Sequence, residues 1–261
     1  YLPRDARACN VPYGGVDTAR LISALTIAPV GATPALLEPR VAIQEKGVSP
    51  LHSLINARQA MFDNVYWHHT NRACSAMLLR AIQDAVIAGA IAPETLPAQD
   101  DRSLLEALAR PTMPDTTQSL AVALQSRRVH KRAVEIGSRA IELYGRLGNL
   151  YFDPLARREV ERHMVLALSD ALGREVPEDA ILIDIPKPEK WKTDVWVSFE
   201  KPPVGFTTLM PWRDVVGLND EDFKRYEEHR RLIRIVTKLE FRDVVHEKWE
   251  QLLYPQLGAA I

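Results

Sequence analysis

The sequence ARQAMFDNVYWHHTNRA, residues 57–73, lies within a pattern that predicts a long α-helix from Leu51 to about Ile87. Apolar residues recur at helical spacing through it, at Leu51, Leu54, Ile55, Phe62, Val65, Tyr66, Met77 and Ile82. At about 100° per residue, four side chains suited to binding a phosphate, sugar or base lie within about 80° of one another around the helix axis: Arg58, Phe62, Tyr66 and His69. Trp67 is expected on the opposite side of the same helix. The pattern favours a mainly helical fold.

Two interpretations of this face stay open. In the first, an arginine that offers several donors to phosphate oxygens lies beside rings that pack against a ribose or a base. In the second, Phe62 and Tyr66 are core residues of a half-buried helix, and Arg58 extends its stem along the surface. Helical periodicity is the same in both cases and does not separate them.

The segments before this helix predict a helix and a hairpin. Tyr1–Ala8 is helix-like and ends in the turn sequence NVPYGG. The stretches LISALTIAP and RVAIQEKG then predict an antiparallel β-hairpin.

After the long helix, further helices are predicted at Ser103–Ala109, Thr117 to about Tyr144 and Pro154–Leu172. Beyond Gly173, the strand-like stretches AILIDIP, TDVWVSFE and RLIRIVTK alternate with helical patterns at Asn219 to about Arg231 and at Glu240–Leu253. The expected fold class is mainly α, with a β-hairpin and a small C-terminal α+β subdomain. The predicted divisions are a helical core with the hairpin at 1–100, a helical extension at 101–172 and the subdomain at 173–261.

Composition narrows the class of protein. The 261 residues have a formal net charge of −1, so there is no overall basic field to attract nucleic acid. The two cysteines, Cys9 and Cys74, have neither metal-site nor redox spacing. No apolar run approaches the roughly 20 residues that span a bilayer. We therefore expect a soluble cytoplasmic protein with no membrane partner.

The histidines do not predict a metal site. His68 and His69 are adjacent, and neighbouring residues of an α-helix point about 100° apart, so they are not expected to chelate one ion. The other histidines have no carboxylate at ligand spacing. No catalytic or metal-ligating residue is assigned within the chain.

Two further stretches carry basic residues. SRRVHKR, residues 126–132, is predicted to be helical, which would make Arg127 and Lys131 neighbours one turn apart, either on an exposed basic face or around an anion. LIDIPKPEKWKTDVWV, residues 182–197, mixes lysine with Trp191 and Trp196, as single-stranded nucleic-acid sites do. With one such segment and a net charge near zero, the sequence favours the alternative that the two tryptophans anchor the small subdomain.

Three stretches together resemble the HD-domain phosphohydrolases. They are YLPRDARACNVPYG, then QEKG, then LINARQAMFDNVYWHHTNRACSAMLLRA. The resemblance covers roughly Tyr1–Ala90. It is strongest to the bacterial branch related to deoxynucleoside triphosphate (dNTP) triphosphohydrolases and to the animal SAM-and-HD-domain enzyme. It implies that the chain is the C-terminal portion of an HD-domain helical fold.

In that family a divalent metal such as Mg²⁺ or Mn²⁺, held by His, His-Asp and Asp, activates water against the α-phosphate of a dNTP. This releases nucleoside and triphosphate. The resemblance places the family's metal ligands before Tyr1, and this sequence contains no His-Asp dipeptide. It therefore implies a metal cofactor in the parent protein, with its ligands absent here, and we expect the chain alone to have little or no hydrolytic activity.

The resemblance also implies substrate-binding residues. Tyr1, Arg4 and Asp5 match a motif whose Tyr and Asp approach the phosphate and the sugar 3′-hydroxyl. Arg58 matches a phosphate ligand, and Tyr66 matches the ring stacked on the deoxyribose. Two family positions depart from the pattern, since Phe62 stands where the animal enzyme has His and His69 where it has Lys. Arg127 and Lys131 align loosely with residues that bind a regulatory nucleotide in the family's tetramers.

Three hypotheses follow. The first is the substrate-binding portion of an HD dNTP triphosphohydrolase, a homo-oligomer completed by an N-terminal HD segment. The second is a non-catalytic nucleotide-binding or oligomerisation module of a split or truncated HD protein. The third is a protein- or RNA-interaction domain, for which Lys190 and Trp191 would be the decisive residues.

Overall fold

The structure is a computed structural model that describes residues 1–31, 37–187, 194–218, 221 and 231–258. In chain order its α-helices are α1 (Leu2–Ala8), α2 (Thr18–Ala24), α3 (Val48–Met61), α4 (His69–Ile87), α5 (Asp101–Leu108), α6 (Asp115–Gln125), α7 (Ile141–Asn149), α8 (Pro154–Leu172), α9 (Trp212–Val215) and α10 (Arg242–Leu257). A π-helix (Phe62–Tyr66) follows α3 directly. Short 3₁₀ helices lie at Pro12–Gly14, Glu45–Gly47, Pro93–Ala98, Glu178–Ala180 and Leu239–Phe241.

The described strands form two sheets. In chain order they are β1 (Leu25–Val30), β2 (Glu38–Gln44), β3 (Lys131–Ile136), β4 (Ile181–Asp184), β5 (Trp196–Ser198), β6 (Leu209–Pro211) and β7 (Ile233–Thr237). One sheet has the order β1-β2-β5-β6 and the other the order β3-β7-β4.

The chain divides into two compact units, and each is built from two segments. The first unit comprises residues 1–67 and 189–228, and the second comprises residues 68–188 and 229–261. Each of the two sheets lies within one unit.

The first unit packs α2 and α3 with the four-stranded sheet. β1 and β2 form the antiparallel hairpin predicted from the sequence, with Leu25 opposite Ile43 and Ile27 opposite Val41. β5 joins β2 in parallel, and β6 pairs with β5 antiparallel. The core is made by side chains from both segments: Leu21, Ile43, Leu51, Ile55, Val197, Phe199 and Trp212.

The second unit has the larger core, built on the three-stranded sheet. β7 is the central strand and pairs antiparallel with both β3 and β4. All five residues of β7 are buried, as expected for a strand covered on both faces. Apolar side chains of α7, α8 and α10 pack with β3, β4 and β7 in one cluster, and those of α4 and α6 pack in a second cluster.

A buried polar network lies within this unit. Arg80 on α4 donates to Asp84 one turn on, at 2.9 Å, and also pairs with Glu161 of α8. The backbone N–H of Ile183 donates to the other oxygen of Glu161, at 2.7 Å. Burial raises the pKa of the Glu161 carboxyl, and the nearby Arg80 guanidinium opposes that rise. A buried carboxylate is tolerated here because its oxygens have these partners.

The prediction of one helix from Leu51 to Ile87 is wrong at one place. The helix is interrupted at Trp67 and His68, where His68 takes an extended ψ of 136° and its ring caps α4 by accepting from the N–H of Thr70. His69 therefore begins a new helix in the second unit, and it does not share a helix face with Arg58, Phe62 and Tyr66.

The prediction of one helix from Thr117 to Tyr144 is also wrong. α6 ends at Gln125, and Arg127 turns the chain with a φ of 55°. Lys131 then begins β3, opposite Thr237 of β7. Arg127 and Lys131 are consequently not neighbours one turn apart on a helix. Strand pairing with a distant segment overrides the local helical pattern.

The structure confirms the fold class: a mainly α fold with a β-hairpin and an α+β part towards the C-terminus. The divisions at 1–100, 101–172 and 173–261 stay predictions, because compact units defined by contacts do not test which segments fold independently. The helix predicted at Asn219 to about Arg231 lies almost wholly outside the described residues, as do Lys190 and Trp191. Across the described ranges, no helix is both long and apolar enough to cross a bilayer.

Candidate functional site

The residues brought together in the first unit lie on α1, in the last turn of α3 and on the π-helix that follows it. α1 is seven residues long, and its proline, Pro3, lies in the first turn, where it costs no helical hydrogen bond. One face of α1 is anchored because Leu2 and Ala6 are buried in a cluster with Met61, the last residue of α3. This packing sets Asp5 beside the π-helix.

Asp5 and Tyr66 are joined by a hydrogen bond across 61 positions of sequence. The Tyr66 hydroxyl donates to Oδ2 of Asp5 at 2.8 Å, and Nε of Arg4 donates to Oδ1 at 2.8 Å. The hydrogen bond from Arg4, and then that from Tyr66, lowers the pKa of the Asp5 carboxyl. Burial, and then the bond to Asp5, raises the pKa of Tyr66 to about 12. At neutral pH Asp5 is thus a carboxylate acceptor and Tyr66 a neutral donor.

Aromatic and cationic side chains extend from this pair. The Phe62 and Tyr66 rings meet edge-to-face with centroids 5.0 Å apart. The Arg58 guanidinium carbon lies 5.2 Å from the Phe62 centroid, within the range of a cation–π contact. The three side chains predicted to share a face therefore do lie together.

Trp67 belongs to the same group, which corrects its predicted position on the opposite side. The centroid of its ring is 5.3 Å from that of Phe62. Its backbone N–H donates to the backbone carbonyl of Phe62 at 2.7 Å. A π-turn bonds residue i to residue i+5, so the fifth residue returns above the first. The sequence reasoning missed Trp67 because it assumed a regular α-helix throughout, and π-turns have no simple residue pattern.

The other two predicted substrate residues differ in position: Tyr1 directly precedes α1, whereas His69 is in the second unit. After burial and the bond to Asp5, the charge of Tyr1 also contributes to the raised pKa of Tyr66. Tyr1 is exposed, and its carbonyl accepts the Asp5 N–H at 2.9 Å. His69 lies in the second unit, where burial and the neighbouring His68 lower its pKa. The rings of these two histidines lie 4.1 Å apart because His68 is outside the helix, contrary to the geometry assumed from the sequence.

The two residues proposed for a regulatory nucleotide, Arg127 and Lys131, are both exposed in the second unit. Arg127 lies in the turn after α6 and Lys131 on the edge strand β3. Their assignment stays a prediction.

Among the described residues, no three side chains of His, Cys, Asp or Glu are grouped as metal ligands. The residues of the Asp5–Tyr66 site do not fit a divalent metal either, because the Arg4 guanidinium that is paired with Asp5 would repel a cation bound there. Its chemistry is that of a binding surface, with one carboxylate, one guanidinium and a group of rings.

A family model described as the HD associated region matches residues 16–201, well over half of the chain. Over 82 residues the chain is 30% identical to an uncharacterized protein of Methanocaldococcus jannaschii, an alignment covering 31% of this chain and 17% of that protein.

Solved structures share the fold. A phosphohydrolase of Bacteroides thetaiotaomicron matches with a TM-score of 0.53 and 17% identity, over 91% of this chain and 59% of that one. A hypothetical protein of Aquifex aeolicus matches with a TM-score of 0.58 and 17% identity, over 95% of this chain and 55% of that one. At this identity the likeness concerns the fold alone. The chain spans less than two thirds of the length of each of these relatives.

Proposed function

Because this chain belongs to the family of HD-associated regions, we propose that it supplies the substrate-binding surface of an HD phosphohydrolase. The proposed substrates are dNTPs, hydrolysed to nucleoside and triphosphate. The phosphohydrolase name of the Bacteroides structure supports the reaction class. The choice of dNTPs rests on the residues of the site.

The observation that carries the proposal is the hydrogen bond between Tyr66 and Asp5. It holds a carboxylate and an aromatic ring side by side, and an ionised carboxylate has about four acceptor positions, of which Arg4 and Tyr66 use two. Asp5 can therefore accept a sugar hydroxyl while the Tyr66 ring packs against the sugar. A ring that packs closely on a deoxyribose leaves no space for a 2′-hydroxyl.

Arg58 supplies the charge that a phosphate needs. A guanidinium binds phosphate oxygens through two parallel donors, and the contact with Phe62 orients the Arg58 side chain at this site. The proposal assigns the divalent metal to ligands outside the described residues. In this proposal the described side chains bind the substrate and carry out no step of hydrolysis. We therefore expect the chain to bind dNTPs without hydrolysing them.

Binding and hydrolysis are separated by two assays. Calorimetric titration of the 261-residue chain with each dNTP in EDTA measures binding, and triphosphate release with Mg²⁺ or Mn²⁺ measures hydrolysis. We expect saturable dNTP binding, weaker binding of the matching ribonucleotide, and little or no triphosphate release. Arg58→Gln should raise the Kd at least about tenfold, the loss of one charge-assisted contact.

Arg7→Gln is the matched control, because Arg7 is an exposed arginine on α1, the helix that carries Asp5. Equal affinities of the two variants, or no dNTP binding at all, would contradict the proposal. Robust triphosphate release by the chain itself would contradict the expected inactivity and would exclude the non-catalytic alternative.

A further inference from the structure

The second unit contains a cavity of about 860 Å³ that none of the predicted site residues lines. It lies between the end of β3, the loop at 137–140, α7 and the C-terminal half of α10. Its volume is within the range of about 300–1,000 Å³ that is usual for small-molecule sites.

The interior of the cavity is apolar and aromatic. Its apolar lining includes Ile136 of β3, Leu143 of α7, Leu232 just before β7 and Leu257 of α10. α10 adds the rings of Trp249 and Tyr254, whose centroids lie 5.9 Å apart. Such a surface binds an apolar body by removing it from water.

Among the described residues, the rim of the cavity carries four charged side chains, and three of them are already paired. Glu142 accepts from Arg146 at 2.9 Å. Glu135 accepts from two arginines outside the cavity, Arg132 at 2.9 Å and Arg234 at 3.0 Å.

Arg139 is the fourth charged residue of the rim. It is exposed and has no ion pair or side-chain hydrogen bond with any residue that the structure describes. Within the described part of the chain, the rim thus presents one positive charge without a partner, beside an apolar interior.

We propose that this cavity binds a small organic monoanion with an apolar body, such as a medium-chain carboxylate. Its carboxylate pairs with Arg139, and its apolar body lies among the four aliphatic side chains and the two rings. A nucleoside triphosphate does not fit this chemistry, because it carries several negative charges, and Arg139 is the one lining cation without an ion pair among the described residues. The site is therefore separate from the proposed dNTP surface and does not depend on it.

Calorimetric titration of the full chain with octanoate tests the proposal. We expect one octanoate per chain, no binding of acetate, which lacks the apolar body, and much weaker binding of neutral octanamide. Arg139→Gln should raise the Kd for octanoate at least about fivefold, as loss of one partly solvated ion pair predicts.

Arg110→Gln is the matched control, because Arg110 is another exposed arginine of the same unit for which the structure gives no ion pair. A second variant, Ala140→Phe, places a ring at an exposed position of the cavity lining and should weaken binding without unfolding the chain. The absence of octanoate binding, equal affinities for the two arginine variants, or equal binding of octanamide would each overturn the proposal. Displacement of octanoate by dATP would also overturn it.

Discussion

The proton of the hydrogen bond between Tyr66 and Asp5 stays on the tyrosine. Tyr66 is therefore the donor of this bond, and Asp5 is an acceptor for any further hydrogen-bond donor. Asp5 has a lowered pKa because Arg4 and Tyr66 donate to it, and Tyr66 has a pKa raised to about 12 because it is partly buried and donates to Asp5. A substrate hydroxyl therefore meets an acceptor at Asp5 over the whole physiological range. Neither residue is expected to exchange a proton with substrate near pH 7.

The raised pKa of Tyr66 predicts a loss of stability at high pH. A group whose folded-state pKa is above its unfolded value of about 10 stabilises the fold below pH 10, and this contribution is lost as the pH rises towards about 12. Tyr66→Phe should be less stable than the wild type at pH 8, and the difference should shrink between pH 10 and 12. Urea unfolding at several pH values measures it.

Tyr13→Phe is the control for this prediction, because Tyr13 packs on the same cluster but its hydroxyl donates to no residue that the structure describes. A constant difference between Tyr66→Phe and the wild type up to pH 12 would count against the hydrogen bond.

Glu161 provides the second prediction at the scale of single residues. Glu161→Gln leaves buried Arg80 without one of its carboxylate partners, so it should lower the free energy of unfolding by about 3–5 kcal/mol. Glu159→Gln on the same helix removes only an exposed pair with Arg162 and should have no measurable effect. Urea unfolding at pH 7 measures the free energy of unfolding of both variants. Equal losses in the two would refute the importance of the buried network.

At the scale of elements, sequence signals predicted structure well where they were local. The predicted bounds of α8 match the structure because Asp153 caps the helix, Pro154 occupies its first turn and Gly173 ends it with a φ of 63°. The segment after Gln125 was predicted wrongly because β3 is decided by its pairing with β7, about a hundred residues later in the chain. The π-helix was missed because its apolar residues also fit an α-helical pattern.

Two glycines give opposite predictions at this scale. A Cβ on Gly47 would lie 2.6 Å from Cβ of Ala24 and 3.3 Å from Cβ of Ile43, so Gly47→Ala should destabilise the fold by about 1–3 kcal/mol. A Cβ on Gly145, within α7, would meet nothing within 4 Å, so Gly145→Ala should stabilise it by about 0.5–1 kcal/mol. Thermal unfolding of both variants tests the pair, and destabilisation by Gly145→Ala would mean that α7 is packed more closely than the structure shows.

At the scale of the whole molecule, both units are discontinuous, and no pattern along the chain predicts this. The predicted divisions followed changes of composition along the chain, whereas each unit combines segments separated by the other unit. Part of the candidate site was predictable from the sequence. Arg58, Phe62 and Tyr66 are close in sequence, and the resemblance to HD phosphohydrolases had already associated Asp5 with Tyr66. Trp67 was not predictable without the π-turn.

Because each unit takes its second segment from the C-terminal part of the chain, we expect neither unit to fold when that part is removed. A chain ending at residue 187 lacks β5 and β6 of the first unit and the central strand β7 of the second. It should show no cooperative unfolding transition by circular dichroism, whereas a chain ending at residue 258 should unfold as the full chain does. A sharp transition in the shorter chain would show that one unit folds without its second segment.

The parallel pairing of β2 with β5 also sets an order of events during synthesis. Gln44 leaves the ribosome roughly 150 residues before its partner Ser198, and at typical translation rates this delay is on the order of ten seconds. During that time β2 has only β1 beside it, and the side chain that closes the core, Trp212, has not yet been made. The nascent chain therefore exposes an unpaired strand edge during that interval, and we expect its yield in a cell to depend on chaperones that cover such edges.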